Sequence, residues 1–102
     1  MIVRLRPAAE RYVDEQAGYL VQHASIAVAL RFYDAVERSL NVVAAQPEIG
    51  PRYGSSNPRL DNVRYWPIKN FSEHLIFYAV RTDGIEVLRV LHGRRDLKAV
   101  LD

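Results

Sequence analysis

The sequence of 102 residues contains no cysteine, so it can form neither a disulfide framework nor a thiolate metal site. It also lacks any run of about 18 apolar residues, which a transmembrane helix requires, and its first residues carry no apolar segment typical of a secretory signal. The three histidines are far apart in the sequence and show no metal-ligand spacing. We therefore expect a cytoplasmic protein without membrane contact, structural metal or cofactor.

Composition and charge describe one globular domain with a basic second half. Apolar residues make up 49% of the chain and charged residues 25%, which are ordinary proportions for a globular protein. A chain of this length buries a single core, so we predict one domain over residues 1–102. Residues 1–51 contain five Lys or Arg and six Asp or Glu, whereas residues 52–102 contain nine and six. The basic second half favours an acidic partner, either RNA or an acidic peptide, but its charge is less dense than in dedicated nucleic-acid-binding proteins.

The first half of the chain has the periodicity of two amphipathic helices after a short strand at Ile2–Leu5. Apolar residues recur every three or four positions over residues 8–22, and again over residues 26–46, where Ser25 suits the N-cap. Because only two residues separate the helices, we predict an αα-hairpin. The inner stripe of the second helix is predicted to contain Ala29, Phe32, Ala35, Val36, Leu40 and Val43.

The second half of the chain has the pattern of β-strands. Residues 46–58 hold three prolines and two glycines, so they are predicted to form an irregular connection. A turn is predicted at residues 70–73, and Pro67 indicates a bulge or a bend in the strand before it. Strands are predicted at residues 59–68, 74–81 and 85–91, and a short helix is predicted at residues 96–101.

The strongest local signal is the Asp83-Gly84 pair between the last two strands. Both residues tolerate positive φ, so the pair predicts a two-residue type I′ hairpin turn. The resulting order is β-α-α-β-β-β, an α+β fold in which two helices pack on one face of a small, mainly antiparallel sheet. Both hairpin strands are apolar on both faces, whereas one helical layer covers only one face. The second face is therefore expected to fold over, to dimerise or to receive a partner.

Several segments together resemble a known protein family. They are Pro-Glu-Ile-Gly at residues 47–50, Arg-Tyr-Trp-Pro-Ile at 64–68, Leu-Ile-Phe-Tyr-Ala-Val at 75–80, and Asp-Gly-Ile-Glu-Val-Leu-Arg-Val-Leu-His-Gly-Arg-Arg-Asp-Leu at 83–97. With the order of elements, they are similar to the RelE/ParE superfamily of bacterial type II toxins, and most closely to its ParE branch. The resemblance covers essentially the whole chain.

The resemblance implies a small cytoplasmic toxin that serves plasmid maintenance or stress response. It further implies a hetero-oligomer with a cognate antitoxin, whose C-terminal segment wraps the toxin. The ParE branch inhibits DNA gyrase by protein binding, whereas the RelE branch cleaves mRNA on the ribosome. We therefore expect gyrase inhibition, with ribosome-dependent mRNA cleavage as the alternative and a degenerate toxin that only binds its antitoxin as a third possibility.

The two branches differ in the chemistry that they require. RNA cleavage needs acid–base groups together with cations that stabilise the phosphate. By resemblance, Arg64, His92 and either Arg94 or Arg95 match residues of ribonucleolytic members, with Arg95 chosen for the proposed site. Glu48 is expected near the position of their glutamate. No tyrosine follows Tyr78, so the C-terminal tyrosine of those members has no counterpart here. This absence favours inhibition by protein binding, for which no catalytic residue is assigned.

The same polar residues can instead form a docking surface. The adjacent Arg94 and Arg95 suit carboxylates of an antitoxin or of gyrase, although they also suit an exposed tail. Trp66 fits sheet packing and an interface anchor equally well. We expect the antitoxin to lay a helix or a strand over the final hairpin and to neutralise some of its arginines. The predicted partner-binding residues are Arg64, Trp66, Arg89, His92, Arg94, Arg95 and Lys98.

Overall fold

The structure, a computed structural model, describes residues 1–93, which contain two long helices and four strands. These elements follow the order β-α-α-β-β-β, and the predicted α+β fold is confirmed. The short helix predicted at residues 96–101 lies outside the described residues. The bounds of the elements are β1 Ile2–Leu5, α1 Pro7–His23, α2 Ile26–Ala45, β2 Val63–Ile68, β3 Phe71–Arg81 and β4 Gly84–His92.

The four strands form one mixed sheet in the order β1-β4-β3-β2. The last three strands are an antiparallel meander, and β1 lies parallel to β4. Because β1 ends at Leu5, it pairs only with residues 84–87, and the Arg6 N–H donates to the Val87 carbonyl at 3.0 Å where this pairing ends. Within the described part of the chain, residues 88–92 of β4 therefore have no strand neighbour on that side.

Both helices pack their apolar stripes against one face of this sheet. The hydroxyl of Ser25 accepts a hydrogen bond from the Val28 N–H at 3.1 Å, which confirms Ser25 as the N-cap of α2. The predicted inner stripe of α2 is buried throughout, and Phe32 at its centre is 0% exposed. Tyr78 and Ile76 of β3 are equally buried beneath the helices. Burying each such side chain contributes roughly 1.5–3 kcal/mol, so this interface is the main core of the domain.

The turn between β3 and β4 lies one residue before its predicted position. Arg81 pairs with Gly84, so the loop consists of Thr82 and Asp83, and the glycine already belongs to β4. Neither loop residue has positive φ, so the predicted type I′ turn centred on Asp83-Gly84 is wrong. The glycine is required by the close approach of β1, because a Cβ on Gly84 would lie 1.8 Å from the carbonyl oxygen of Ile2.

The strand β2 is shorter than predicted at its beginning. Residues 59–62 do not join the sheet; they belong to a 3-10 helix at Pro58–Leu60 and the turn that follows it. The Asn57 side chain caps this helix, because its Oδ1 accepts a hydrogen bond from the Arg59 N–H at 3.0 Å. This local hydrogen bond competes with the extended conformation that the alternation of residues 59–68 predicts. The irregularity predicted at Pro67 is confirmed by a register shift between Pro67 and Ile68.

The turn between β2 and β3 is also shorter than predicted. The sequence indicated a turn over residues 70–73, but only Lys69 and Asn70 form it, and β3 begins at Phe71. Asn70 adopts a positive φ of 69°, which Asn tolerates better than most residues, so two residues suffice to reverse the chain. The longer β3 places the Phe71 ring edge-on against Phe32 of α2, with the ring centroids 5.1 Å apart.

The sheet face away from the helices is partly covered by the connection between α2 and β2. Tyr53 packs edge-on against Phe77 with the ring centroids 6.0 Å apart, and Leu60 belongs to the same apolar cluster. The Tyr53 N–H also donates to the Val63 carbonyl at 2.8 Å, which attaches the connection to the outer edge of β2. The sequence left three possibilities for this face: that the chain folds over it, that it dimerises, or that it receives a partner. The connection between α2 and β2 realises the first of these in part. The residues that stay only partly buried at the end of the hairpin are Leu75 and Leu91.

Candidate functional site

Arg64 and Tyr78 together hold the turn that follows α2. The Arg64 guanidinium donates to the carbonyl oxygens of Gly50 at 2.7 Å and of Glu48 at 3.2 Å. The Tyr78 hydroxyl donates to the Pro47 carbonyl at 2.7 Å and accepts from the Gly50 N–H at 3.1 Å. Burial raises the pKa of Tyr78 above its ordinary value, against the opposing effects of the Gly50 N–H and the Arg64 charge. Arg64 thus binds backbone, and the side chain of Glu48 is left exposed.

Arg64 and His92 lie far apart in the structure. The mRNA-cleavage alternative requires both side chains to reach the same phosphate of the RNA. Arg64 lies opposite Tyr78, whereas His92 lies opposite His74 near the other end of the hairpin. Four residues along β3 and two strand spacings place the Cα atoms of Arg64 and His92 roughly 16 Å apart. The guanidinium is moreover bound to the turn after α2.

His92 belongs to a cluster of rings that sequence reasoning missed. Its exposed ring lies 5.4 Å from the ring of His74, which is only 4% exposed. The Tyr12 hydroxyl hydrogen-bonds to Nδ1 of His74 at 2.7 Å, and Phe32 lies edge-on to the same imidazole. Burial lowers the pKa of His74 below its ordinary value, with the Glu73 carboxylate opposing this shift and His92 adding to it. His74 is therefore a largely neutral ring at pH 7 that links α1 to the hairpin.

Arg89 lies on the part of β4 that β1 leaves without a neighbour. It lines a shallow cavity of about 190 Å³ with Arg11 and Glu15 of α1. Within residues 1–93, no carboxylate lies within 4 Å of its guanidinium. The side chain of Arg89 is half-buried at this edge, and its role in partner binding stays a prediction.

Trp66 lies half-buried on the helix side of β2. It packs against the main core and lines a cavity of about 560 Å³ with Val42 and Pro67. The packing role is therefore observed, and the role as an interface anchor stays a prediction. The remaining predicted partner-binding residues, Arg94, Arg95 and Lys98, lie outside the described residues.

The described part of the chain offers neither a metal site nor a membrane span. No three His, Cys, Asp or Glu side chains converge there in a way that could hold a metal ion. Neither helix in residues 1–93 is long and apolar enough to cross a membrane.

The order of elements and the strand order β1-β4-β3-β2 are those expected of a small toxin of the RelE/ParE type. The profile described as "ParE toxin of type II toxin-antitoxin system, parDE" matches residues 3–97. The chain therefore belongs to the ParE toxin family of type II toxin–antitoxin systems, and the family predicted from the sequence is confirmed. Membership in a parDE system implies a cognate ParD antitoxin as partner.

A solved structure shares this fold. The structure described as "Chromosomal ParDE TA system from P. aeruginosa" matches with a TM-score of 0.74 and 16% sequence identity. The match covers 91% of this chain and 96% of that chain. At this identity the similarity demonstrates the common fold. A search of curated proteins finds no significant match.

Proposed function

We propose that this ParE toxin acts by binding DNA gyrase and that its antitoxin neutralises it by covering the final hairpin. One observation carries the proposal: Arg64, the strand arginine of the nuclease alternative, uses its guanidinium to bind the carbonyls of Gly50 and Glu48. A group committed to two backbone acceptors is poorly placed to stabilise a phosphate at His92. This geometry supports inhibition by protein–protein binding over RNA cleavage.

The open edge of β4 supports the proposed binding of the antitoxin at the final hairpin. Residues 88–92 lack a strand neighbour on one side within the described chain, so their backbone N–H and C=O groups can pair with an added strand. Arg89 and the exposed His92 lie in this segment and suit acidic side chains of such a strand. The partly buried Leu75 and Leu91 provide an adjoining apolar surface.

A supercoiling assay with purified gyrase tests the proposal. Toxin freed of antitoxin is expected to block negative supercoiling at stoichiometric amounts and to accumulate cleaved DNA, and added antitoxin is expected to restore activity. Arg89→Glu should weaken the rescue by antitoxin roughly tenfold, equivalent to about 1.4 kcal/mol of antitoxin binding, whereas Arg59→Glu on the exposed 3-10 helix should leave the rescue unchanged. Unchanged supercoiling with an excess of folded, growth-inhibiting toxin would refute gyrase as the target. Normal growth on induction without antitoxin would instead support a degenerate toxin.

Within the described residues, the cluster around His92 favours mRNA cleavage as a second candidate function. The sequence has no tyrosine after Tyr78, but α1 supplies Tyr12, whose hydroxyl lies 2.7 Å from Nδ1 of His74, and the His74 ring adjoins His92. Imidazole and phenol side chains are among the groups that enzymes use to transfer protons. Mapping mRNA 5′ ends after induction tests this candidate. Ribosome-phased cuts that disappear with His92→Ala would establish it, and the absence of such cuts would eliminate it.

A further inference from the structure

A groove runs along α2 on its side facing the β2–β3 turn. Eight residues of α2 line one wall, and five of them have the spacing 3-4-3-4, which places these five on a single stripe of the helix. The turn between β2 and β3 and its flanking residues form the other wall. The lining residues used below are Val28, Arg31, Ala35, Arg38 and Val42 on the helix, and Trp66, Pro67, Lys69 and Phe71 on the sheet.

The groove consists of two cavities that meet at Arg38 and Lys69. The first has a volume of about 520 Å³ and the second about 560 Å³, and both residues line both cavities. From Val28 to Val42 the helix rises about 21 Å, which matches an extended segment of roughly six residues. The sheet wall is held in place because the Lys69 N–H donates to the hydroxyl of Ser39, which is 3% exposed, at 3.1 Å.

The charges in the groove are mainly positive and incompletely paired. Arg38 forms an ion pair with Asp34 at 2.8 Å on the helix surface. Arg31 and Lys69 have no carboxylate within 4 Å in residues 1–93. Three cations against one carboxylate therefore face a groove whose ends are apolar, with Trp66 at one end and Phe71 at the other.

We propose that this groove binds a short acidic segment of a protein partner that carries one bulky apolar side chain. The cations at the middle of the groove would pair with carboxylates, and the apolar side chain would pack between Trp66 and Val42, of which Val42 is 44% exposed. The groove is separate from the β4 edge, because β2 and β4 lie on opposite sides of β3. The proposal therefore holds whether or not gyrase is the target of the toxin.

The chemistry of the groove favours a peptide over a nucleic acid. A phosphate backbone needs a continuous track of cations, whereas here Asp34 lies next to Arg38 and both ends are apolar. A peptide with several carboxylates and one aromatic residue matches both the charges and the apolar surface.

Trp66 is the only tryptophan of the chain, so its fluorescence reports on the groove. The probe is the synthetic peptide Glu-Asp-Glu-Phe-Glu-Glu with blocked ends, titrated into the full-length toxin at low salt. We expect a change in Trp66 emission that saturates with a Kd below about 1 mM. Replacing the peptide phenylalanine by serine should weaken binding roughly tenfold, because the anchor no longer buries apolar area.

Matched charge variants test the contribution of the cations. Arg31→Gln with Lys69→Gln should weaken peptide binding roughly three- to tenfold, as expected for two partly exposed ion pairs. Arg52→Gln with Arg59→Gln removes the same net charge from the exposed connection and should leave the affinity unchanged. Val42→Glu adds a like charge beside the anchor and should abolish binding, with far-ultraviolet circular dichroism verifying that each variant is folded.

Four results would overturn the proposal. Equal losses in the two double variants would show that only net charge matters. An RNA hexamer that binds more tightly than the peptide and displaces it would assign the groove to nucleic acid. Protection of Trp66 from acrylamide quenching would also be decisive. If the protection increases with protein concentration, the groove binds a second copy of the chain. If the protection is complete in the free protein at every concentration, the groove is occupied by residues 94–102.

Discussion

The turn after α2 depends on one buried hydroxyl, and Tyr78→Phe removes that hydroxyl without changing the shape of the ring. The hydroxyl accepts a hydrogen bond from the Gly50 N–H at 3.1 Å and donates one to the Pro47 carbonyl at 2.7 Å. Gly50 is buried, so its N–H has no access to water once the hydroxyl is gone. The half-buried Pro47 carbonyl can be rehydrated more easily. The cost of the substitution is therefore mainly that of one unsatisfied buried donor.

The expected loss of unfolding free energy is about 2 kcal/mol, within the range for leaving a buried polar group without a partner. For a domain of this size, the melting temperature should fall by roughly 8–16 °C. Thermal and urea unfolding followed by circular dichroism measure both quantities. Tyr33→Phe is the matched control, because the Tyr33 hydroxyl donates to Asp14 at 2.7 Å on the surface, where water can replace it. We expect the control to lose less than about 0.5 kcal/mol.

A double-mutant cycle with Arg64→Met examines whether the two side chains act on the same turn. The Arg64 guanidinium binds the Gly50 carbonyl at 2.7 Å, one peptide group away from the N–H that Tyr78 binds. The two substitutions should therefore be non-additive by roughly 0.5 kcal/mol or more. Equal destabilisation by Tyr78→Phe and Tyr33→Phe, or strict additivity in the cycle, would refute the interpretation that these groups jointly hold the turn.

Two further predictions concern stability. Gly84→Ala should destabilise the fold by roughly 3 kcal/mol, because the new Cβ would lie 1.8 Å from the Ile2 carbonyl oxygen. Gly18→Ala should stabilise α1 by about 1 kcal/mol, because no atom lies within 4 Å of its Cβ position. Urea unfolding measures both changes, and a change in unfolding free energy of the same sign for the two variants would contradict this account. The pKa of His74 is lower in the folded protein than in the unfolded chain. Below about pH 6.5 the unfolded chain therefore binds more protons than the folded protein, so the free energy of unfolding should decrease as the pH falls from there towards the folded-state pKa. His74→Phe should remove this part of the pH dependence, and an unchanged slope of stability against pH would refute it.

Periodic features of the fold could be predicted from the sequence because they depend on neighbouring residues. The buried stripe of α2 follows from a helical period of three to four residues, and the N-cap follows from Ser25 alone. The burial of His74 was also accessible, since strand alternation places it on the same face as Ile76 and Tyr78. It was missed because His74 stands at the first position of the predicted strand, where burial depends on the helix that packs over it.

Other features depend on partners that are distant in the sequence. The position of Gly84 is determined by the parallel pairing with Ile2, which no local turn signal contains. The role of Arg64 depends on backbone carbonyls that an irregular connection brings to it, so the residue type indicated a cation but could not indicate its acceptor. Tyr12 reaches His74, which adjoins His92, only because α1 packs over the hairpin, and Tyr12 and His74 are 62 residues apart in the sequence.

The two sides of the sheet explain why the final hairpin is the better place for a partner strand. On the outer side of β2, the connection closes the edge, since the Tyr65 N–H donates to the Pro51 carbonyl at 3.1 Å and Arg52 bridges to Arg64. On the other side of the sheet, β1 contributes only four residues, and Arg4 of this strand forms an ion pair with Asp83 at 2.7 Å. The short β1 leaves residues 88–92 of β4 without a strand neighbour within the described chain. Because proteins normally cover or shorten exposed edges, an edge that stays open over residues 88–92 of the described chain, beside a closed one, supports the proposal that this edge pairs with a partner strand.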